Sequence, residues 1–262
     1  RIRVFTEENK GAGAARNRGL TEATGKYMLF LDCDDFFEPD MVQLAYEKAE
    51  EQGAEIVIYK SDQYNMDSGE FVYENWAMIE WALPPYEPFG YRQISTNIFK
   101  AFVGWAWDKL YLREFVAKND LKFQEQRTTN DALFVFSALV LAEKISTVRK
   151  ILIHRRVDTA DSLSKTREKS WDNFYRMLLA LRQFLKDREK WNELEKDFVN
   201  YALHFSLWNY NTLAEPTKTK LRNKLVSEWF EELGIRQRHK EYFYDEYEYS
   251  QYEAMLKLQD TP

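Results

Sequence analysis

The sequence predicts an α/β domain built on a mostly parallel sheet, followed by a bundle of helices. Three observations carry this. Residues 1–59 alternate strand-like runs with helical periodicity as β-α-β-α-β, the order of parallel strands joined by crossover helices. Tyr27 to Leu31 is an unbroken apolar run, as expected of a central strand covered on both faces, and it ends at once in Asp32, Asp34 and Asp35. Beyond Ser164 the apolar residues fall only at three- and four-residue spacing.

Ile2 to Phe5 is a short strand candidate, followed by a polar loop from Thr6 to Lys10 and by Gly11-Ala12-Gly13. A helix follows with Ala15, Leu20 and Ala23 on one face and Gly25 as its stop; Arg16 and Asn17 fall early in it. After the acidic strand end, Pro39 opens a second helix with Met41, Leu44, Ala45 and Ala49 inward, ended by Gly53. Ile56 to Tyr59 is the next strand. Asp67-Ser68-Gly69 marks a hairpin turn. Glu74 to Gly90, with Trp76, Trp81, Pro84, Pro85 and Pro88, reads as an irregular loop of the kind that is functional or mobile. Leu112 to Lys118 is a short helix, and Thr129 or Asn130 caps another whose apolar body is Ala132 to Ala142. Ile151 to His154 is a strand that runs into Arg155 and Arg156.

Trp171 to Leu185, Leu194 to Trp208, Pro216 to Gly234 and Glu241 to Leu258 supply four helices. The organisation expected is therefore an α/β domain over 1–164 and a helical region over 165–262.

The 262 residues carry a net charge of −6, which argues against general nucleic-acid binding, which relies on Lys and Arg against phosphates. Lone Cys33 excludes an internal disulfide and suits a reducing compartment. No apolar run approaches the ~20 residues of a membrane span. A cytoplasmic protein is expected, with self-association or peripheral contact at the inner face of the membrane through the helical region as further expectations. The chain starts at Arg1 and runs directly into a strand-like segment, which predicts a chain truncated at its amino end.

Carboxylates at the end of a buried strand stand where open α/β sheets bind ligands. They are costly there unless a cation or hydrogen bonds compensate. A hard divalent ion carried by phosphates fits that need.

The stretch N-K-G-A-G-A-A-R-N-R-G-L, followed by the strand ending D-C-D-D, resembles the family 2 glycosyltransferases of the GT-A fold, a Rossmann-like architecture. The positions that carry the likeness are Asn9, Gly11, Ala15, Arg16, Asn17, Gly19, Asp32 and Asp34. W-D-K-L-Y at Trp107 to Tyr111 is similar to the family's W-N-K-L-Y, with Asp108 for the usual Asn. N-D-A-L-F at Asn130 to Phe134 is similar to E-D-x-x-F without its first acid. Ile153 to Arg156, then Ser162-Leu163-Ser164, resembles a late basic segment. The family's opening strands, which hold uracil and ribose, are not found in this sequence, so the resemblance implies a truncated transferase with impaired activity.

What the resemblance implies is metal-dependent, inverting transfer of a sugar from a nucleotide-diphosphate donor to a hydroxyl of a carbohydrate or glycoconjugate acceptor, in polysaccharide synthesis. Asp34 would bind Mn²⁺ or Mg²⁺, and Asp32 would face the ribose or a metal-bound water. Arg16, with Asn17, would approach the donor phosphates, and Asp131 would be the general base. His154 and Arg156 would cap the diphosphate, while Trp105 and Trp107 would stack on a sugar.

Each of these has a plain structural alternative. Strand-end acids also serve as turn and cap residues, and a helix Arg pairs with a nearby acid. An Asp in a helix's first turn is favoured by the dipole, which also opposes base strength. His154 and the tryptophans also fit a core. Two other functions stay open. Gly11-x-Gly13 with Asp32 about 20 residues on is half of a dinucleotide-binding fingerprint, hence an oxidoreductase, although Arg16 stands at the third Gly position. The lost acid before Asp131 suits a non-catalytic carbohydrate-binding or assembly module.

Overall fold

The computed structural model describes residues 2–157, 163–236 and 238–257. Ser162 of the late basic segment lies outside them. The chain runs α1 (Ala12–Glu22), β1 (Tyr27–Leu29), β2 (Phe36–Phe37), α2 (Met41–Gln52), β3 (Ile56–Asn65), β4 (Phe71–Tyr73), α3 (Ile98–Ala101), β5 (Lys109–Leu112), α4 (Arg113–Lys118), α5 (Ala132–Leu141) and β6 (Ile145–Val157). Helices α6 (Asn173–Asp187), α7 (Trp191–Thr212), α8 (Thr217–Lys224), α9 (Phe230–Glu232) and α10 (Glu246–Lys257) complete it. None of the described helices is long and apolar enough to cross a membrane.

The strands form one sheet in the order β1-β5-β3-β6-β2, with β4 also paired to β3. The α/β class holds, but the sheet is mixed rather than mostly parallel. Only β3 and β6 pair in parallel, from Ile56 opposite Ile145 to Asn65 opposite Val157. The reason is an insertion. β1, β3 and β6 do point the same way, yet β5 lies between β1 and β3 and runs against both.

β1 is also shorter and less enclosed than its apolar run suggests. Among the described residues it pairs only with β5, at the end of the sheet, and Leu31 is exposed. Ile2 to Phe5 is not a strand. Without a strand partner among the described residues it stays extended and exposed, its cationic neighbours Arg3 and Arg18 lying over the Phe5 ring.

Successive residues of β3 face opposite layers, as a pleated strand dictates. Ile56 and Ile58 enter the main core. Val57 and Tyr59 join a second cluster with Met41, Ala45 and Ala49 of α2. That helix ends as its sequence indicates, with Gly53 in the left-handed conformation at φ +57°. The turn after β3 is the expected hairpin, with the Asn65 side chain accepting from the amides of Asp67 and Ser68.

On the other face α5 is buried nearly all round, from Ala132 through Val140. Phe30, just past β1, meets Phe134 and Phe123 edge-on at ring distances of 5.5 and 4.9 Å. Phe136 meets Tyr201 of α7 at 5.1 Å. One apolar interior thus runs from Met28 into the helical region. There α8 passes through a π turn at Leu225–Trp229 into α9, and Trp229 stacks on Tyr175 at 3.9 Å. Glu74 to Gly90 is irregular as expected, yet it supplies Ala77, Met78, Ala82, Leu83 and Phe89 to the core.

The inward face of α1 is Gly13, Leu20 and Ala23, with Ala15 pointing out. Gly13 is there because nothing larger fits: a Cβ would stand 2.0 Å from the Gln124 carbonyl oxygen. Gly19 of the same helix has open space around it. Gly13→Ala is therefore expected to cost about 2 kcal/mol or more by overpacking. Gly19→Ala should add about 0.5–1 kcal/mol through helix propensity. Urea midpoints of the two variants against the parent check the opposite signs.

Candidate active site

The site begins with a loop clamped between two helices. Asn17 of α1 pairs with Phe123 as a neighbouring strand would: its Nδ2 donates to the Phe123 carbonyl at 3.0 Å and its Oδ1 accepts from the Phe123 amide at 2.8 Å. Gly13 lets α1 approach Gln124, whose amide donates to the Asn130 carbonyl at 3.0 Å. The 123–130 segment is thereby fixed against α1, and Asn130 comes within reach of Arg16.

Arg16 then joins three parts of the chain. Its Nη1 donates to Asn130 Oδ1 and its Nη2 to Asp32 Oδ1, both at 2.7 Å, with the guanidinium over the Phe123 ring. The two-pronged fork suits this geometry as a Lys would not. This also explains why Asn130 does not cap α5. Its side-chain oxygen is taken by Arg16, Thr129 adopts φ +55°, and Asp131 occupies the cap position without a side-chain cap bond.

Asp131 stands next to this knot at the start of α5. Burial pushes its carboxyl above the usual carboxylate range, and Asp32 adds to the shift; Arg16, a backbone amide and Lys109 oppose it. Burial outweighs the helix-terminus effect, which alone would lower the value.

Asp32, Asp34 and Asp35 form a turn after β1. Asp34 is exposed, and Asp32 is half-buried on Arg16. Asp35 accepts from the Arg156 amide at 3.0 Å. Burial raises its carboxyl to about 6, and the charges of Asp34 and Asp32 add to the rise against that amide. Among the described residues these three carboxylates share one guanidinium contact, so the turn fits a hard cation. Mg²⁺ and Mn²⁺ typically take one or two carboxylates and complete their shell with phosphate oxygens and water. Asp34 and Asp32 are the residues able to hold one. Among the described residues no three His, Cys, Asp or Glu side chains gather as a fuller ligand set.

β6 brings the basic segment to the same end of the sheet. Phe36 of β2 lies opposite His154, which puts Asp35 level with Arg155 and its side chain in reach of the Arg156 amide. Arg156 is exposed, with its guanidinium over Phe36. His154 is enclosed: Nδ1 lies 2.7 Å from Asp62 Oδ1 and Nε2 3.1 Å from Glu38 Oε1, with the ring stacked on Phe36.

Trp107 and Trp105 stack at 4.6 Å, and Trp107 is buried in the α2-side core. Beneath them Lys109 is wholly buried. Its Nζ donates to Asp108 Oδ1 at 2.5 Å and to the carbonyls of Trp105 and Val103 at 2.8 and 3.0 Å. Burial pushes Asp108 up and Lys109 down, each against the pull of its partner. Gly104, held in this loop, packs on α5: a Cβ there would stand 3.1 Å from Ala132 Cβ.

The glycine pair is explained by packing. Gly11 has φ +89° at the start of α1 and Gly13 meets Gln124. The dinucleotide reading also needs a strand before Gly11, and residues 2–10 form none.

Residues 1–118 match the profile described as "Glycosyl transferase family 2". Over that stretch the chain is similar to the family 2 glycosyltransferases. The chain is 25% identical to EpsH of Bacillus subtilis strain 168 over 230 residues, covering 86% of this chain and 65% of EpsH. It is 25% identical over 274 aligned positions to the cholesterol galactosyltransferase of Borreliella burgdorferi, covering 100% of this chain and 74% of that protein. The fold is similar to that of S. aureus TarS 1-349 in complex with UDP, with a TM-score of 0.55 at 18% identity, over 92% of this chain and 72% of TarS.

Sequence reasoning picked out Arg16, Asp32, Asp34 and Asp131, and the structure brings Arg16, Asp32 and Asp131 to one corner. It missed Asn130 as Arg16's second partner and Lys109 as the anchor of the tryptophan loop. The signal for Asn130 was present: it stands where the family's pattern carries the lost acid.

Lys109→Met is expected to cost about 3–5 kcal/mol, because it strands a buried carboxylate and two carbonyls. Asp108→Asn should cost about half that or less, since an amide oxygen can still accept from Nζ. Equilibrium urea unfolding of both variants measures the difference.

Proposed function

We propose that this chain transfers a sugar from a nucleoside diphosphate donor to a hydroxyl of a carbohydrate or glycoconjugate, with inversion at the anomeric carbon, in polysaccharide assembly. The observation that carries the reading is the Arg16 fork, which ties the acidic turn to the start of α5. The corner then has a donor side and an acceptor side. The name of the Borreliella relative and the UDP bound to TarS support a nucleotide-sugar donor.

On the acceptor side Asp131 takes the hydroxyl proton. The acceptor oxygen bonds to the anomeric carbon while the bond from that carbon to the diphosphate oxygen breaks, its electron pair leaving with the phosphate. A carboxyl raised by burial is a stronger base than an ordinary one. On the donor side Asp32 faces the ribose, and Arg16 and Arg156 face the phosphates. Asn17 holds the segment that positions Asn130. His154, fixed between Asp62 and Glu38, steadies the strand edge from which Arg156 projects. Asp34, with Asp32, would hold Mn²⁺ or Mg²⁺, which when bound supplies positive charge for the departing diphosphate. Residues 1–164 carry this chemistry, and residues 165–262 support α5 from behind.

Transfer from UDP-hexoses with Mn²⁺ is expected to fall about a hundredfold or more in Asp131→Asn, with UDP binding retained. Because protonated Asp131 accepts no proton, kcat/KM should drop as pH falls through its raised value, above the ordinary 3.8. Asp34→Ala should lose stimulation by Mn²⁺. Unchanged turnover in Asp131→Asn would remove the base, and unchanged metal dependence in Asp34→Ala the ligand.

A further inference from the structure

The three tryptophans in ring contact are not equivalent. Trp107 is 4% exposed and packed in the core. Trp105 has Trp107 stacked on it, the Arg155 guanidinium over it at 5.1 Å and Trp76 against it at 5.0 Å. Trp76 alone keeps an open ring, 48% exposed.

That ring is held in place from below. Glu74 is 1% exposed and accepts from Ser61 Oγ at 3.0 Å, Gln63 Nε2 at 2.9 Å and Arg155 Nη2 at 2.8 Å. Its carbonyl accepts from the Ala77 amide, and the Ala77 carbonyl accepts from Val103. Met78 bridges to Phe102. The segment around Trp76 is therefore docked onto the same 102–105 loop that Lys109 anchors.

The loop also fixes where the ring stands. Gly104 packs on Ala132. Trp105 follows Gly104 in sequence, and Asp131 precedes Ala132. The tryptophan stack and Asp131 thus flank one contact.

We infer that Trp76 is the platform for the acceptor sugar, a pyranose laid with its C–H face on the indole while its hydroxyl reaches Asp131. This rests on the transfer reading above and names where the acceptor lies. An aromatic face with a charged, hydrogen-bonding neighbour matches a pyranose, which has an apolar face and a polar rim. A surface indole whose backing is immobilised binds with little ordering cost. Trp105 and Trp107 act as its foundation.

The test uses saturation-transfer NMR with cellotetraose and chitotetraose as probes, alongside UDP release from UDP-hexoses with and without those probes. In Trp76→Ala the sugar signals should vanish and the acceptor KM should rise about tenfold. UDP release without acceptor should be unchanged, and Trp76→Phe should retain most of the binding. A parent protein that gives no saturation transfer to either probe, or a Trp76→Ala variant that gives as much as the parent, overturns the platform. Sugar binding that depends on Trp76 without any UDP release in the parent would uphold the platform and overturn the transfer reading.

Discussion

The arrangement depends on one guanidinium. Arg16 lies where α1, the turn after β1 and the start of α5 converge, and its fork is the contact that joins all three. Each partner is fixed by other means: Asn130 by the segment clamped on Asn17, Asp32 by the short pairing of β1 with β5. Both partners present oxygen atoms, one neutral and one charged. A planar cation with two outward N–H edges satisfies both at once, which a flexible ammonium would not. Of the remaining carboxyls, Asp34 is exposed, while burial raises that of Asp35.

A second buried charge shapes the opposite wall. The Asp108–Lys109 pair is enclosed enough that burial weakens the charged form of both members. Its worth lies in geometry rather than in net attraction. Lys109 gathers two carbonyls of the loop whose Gly104 packs on α5 and whose Trp105 stacks on Trp107. Arg16 organises one wall of the corner and Lys109 the other, with Asp131 between them.

Much of this was legible in the residues. α2, its Gly53 stop, the hairpin at Gly69 and the helices beyond residue 165 follow from periodicity and turn chemistry, which are local. The sheet order does not. Nothing local tells that β5, far along the chain, inserts between β1 and β3 and makes the sheet mixed. Ile2 to Phe5 has strand composition but no partner strand among the described residues, and composition cannot supply one. At the site, residue types were readable and pairings were not. Asn130 looks like a cap until Arg16, 114 residues away in sequence, claims its oxygen. Asp131 looks dipole-depressed until burial is counted.

The near-complete burial of α5 has a consequence for how such chains diversify. One flank of this helix meets Phe30 and Phe123, and the other meets Tyr201. Recombination that exchanged the carboxyl-terminal helices for those of another chain would inherit a mismatched seam along α5. Grafts that preserve the corner at Asp131 must carry α5 together with the helices it was packed with, so the heritable unit is larger than the segment that repeats the helical pattern.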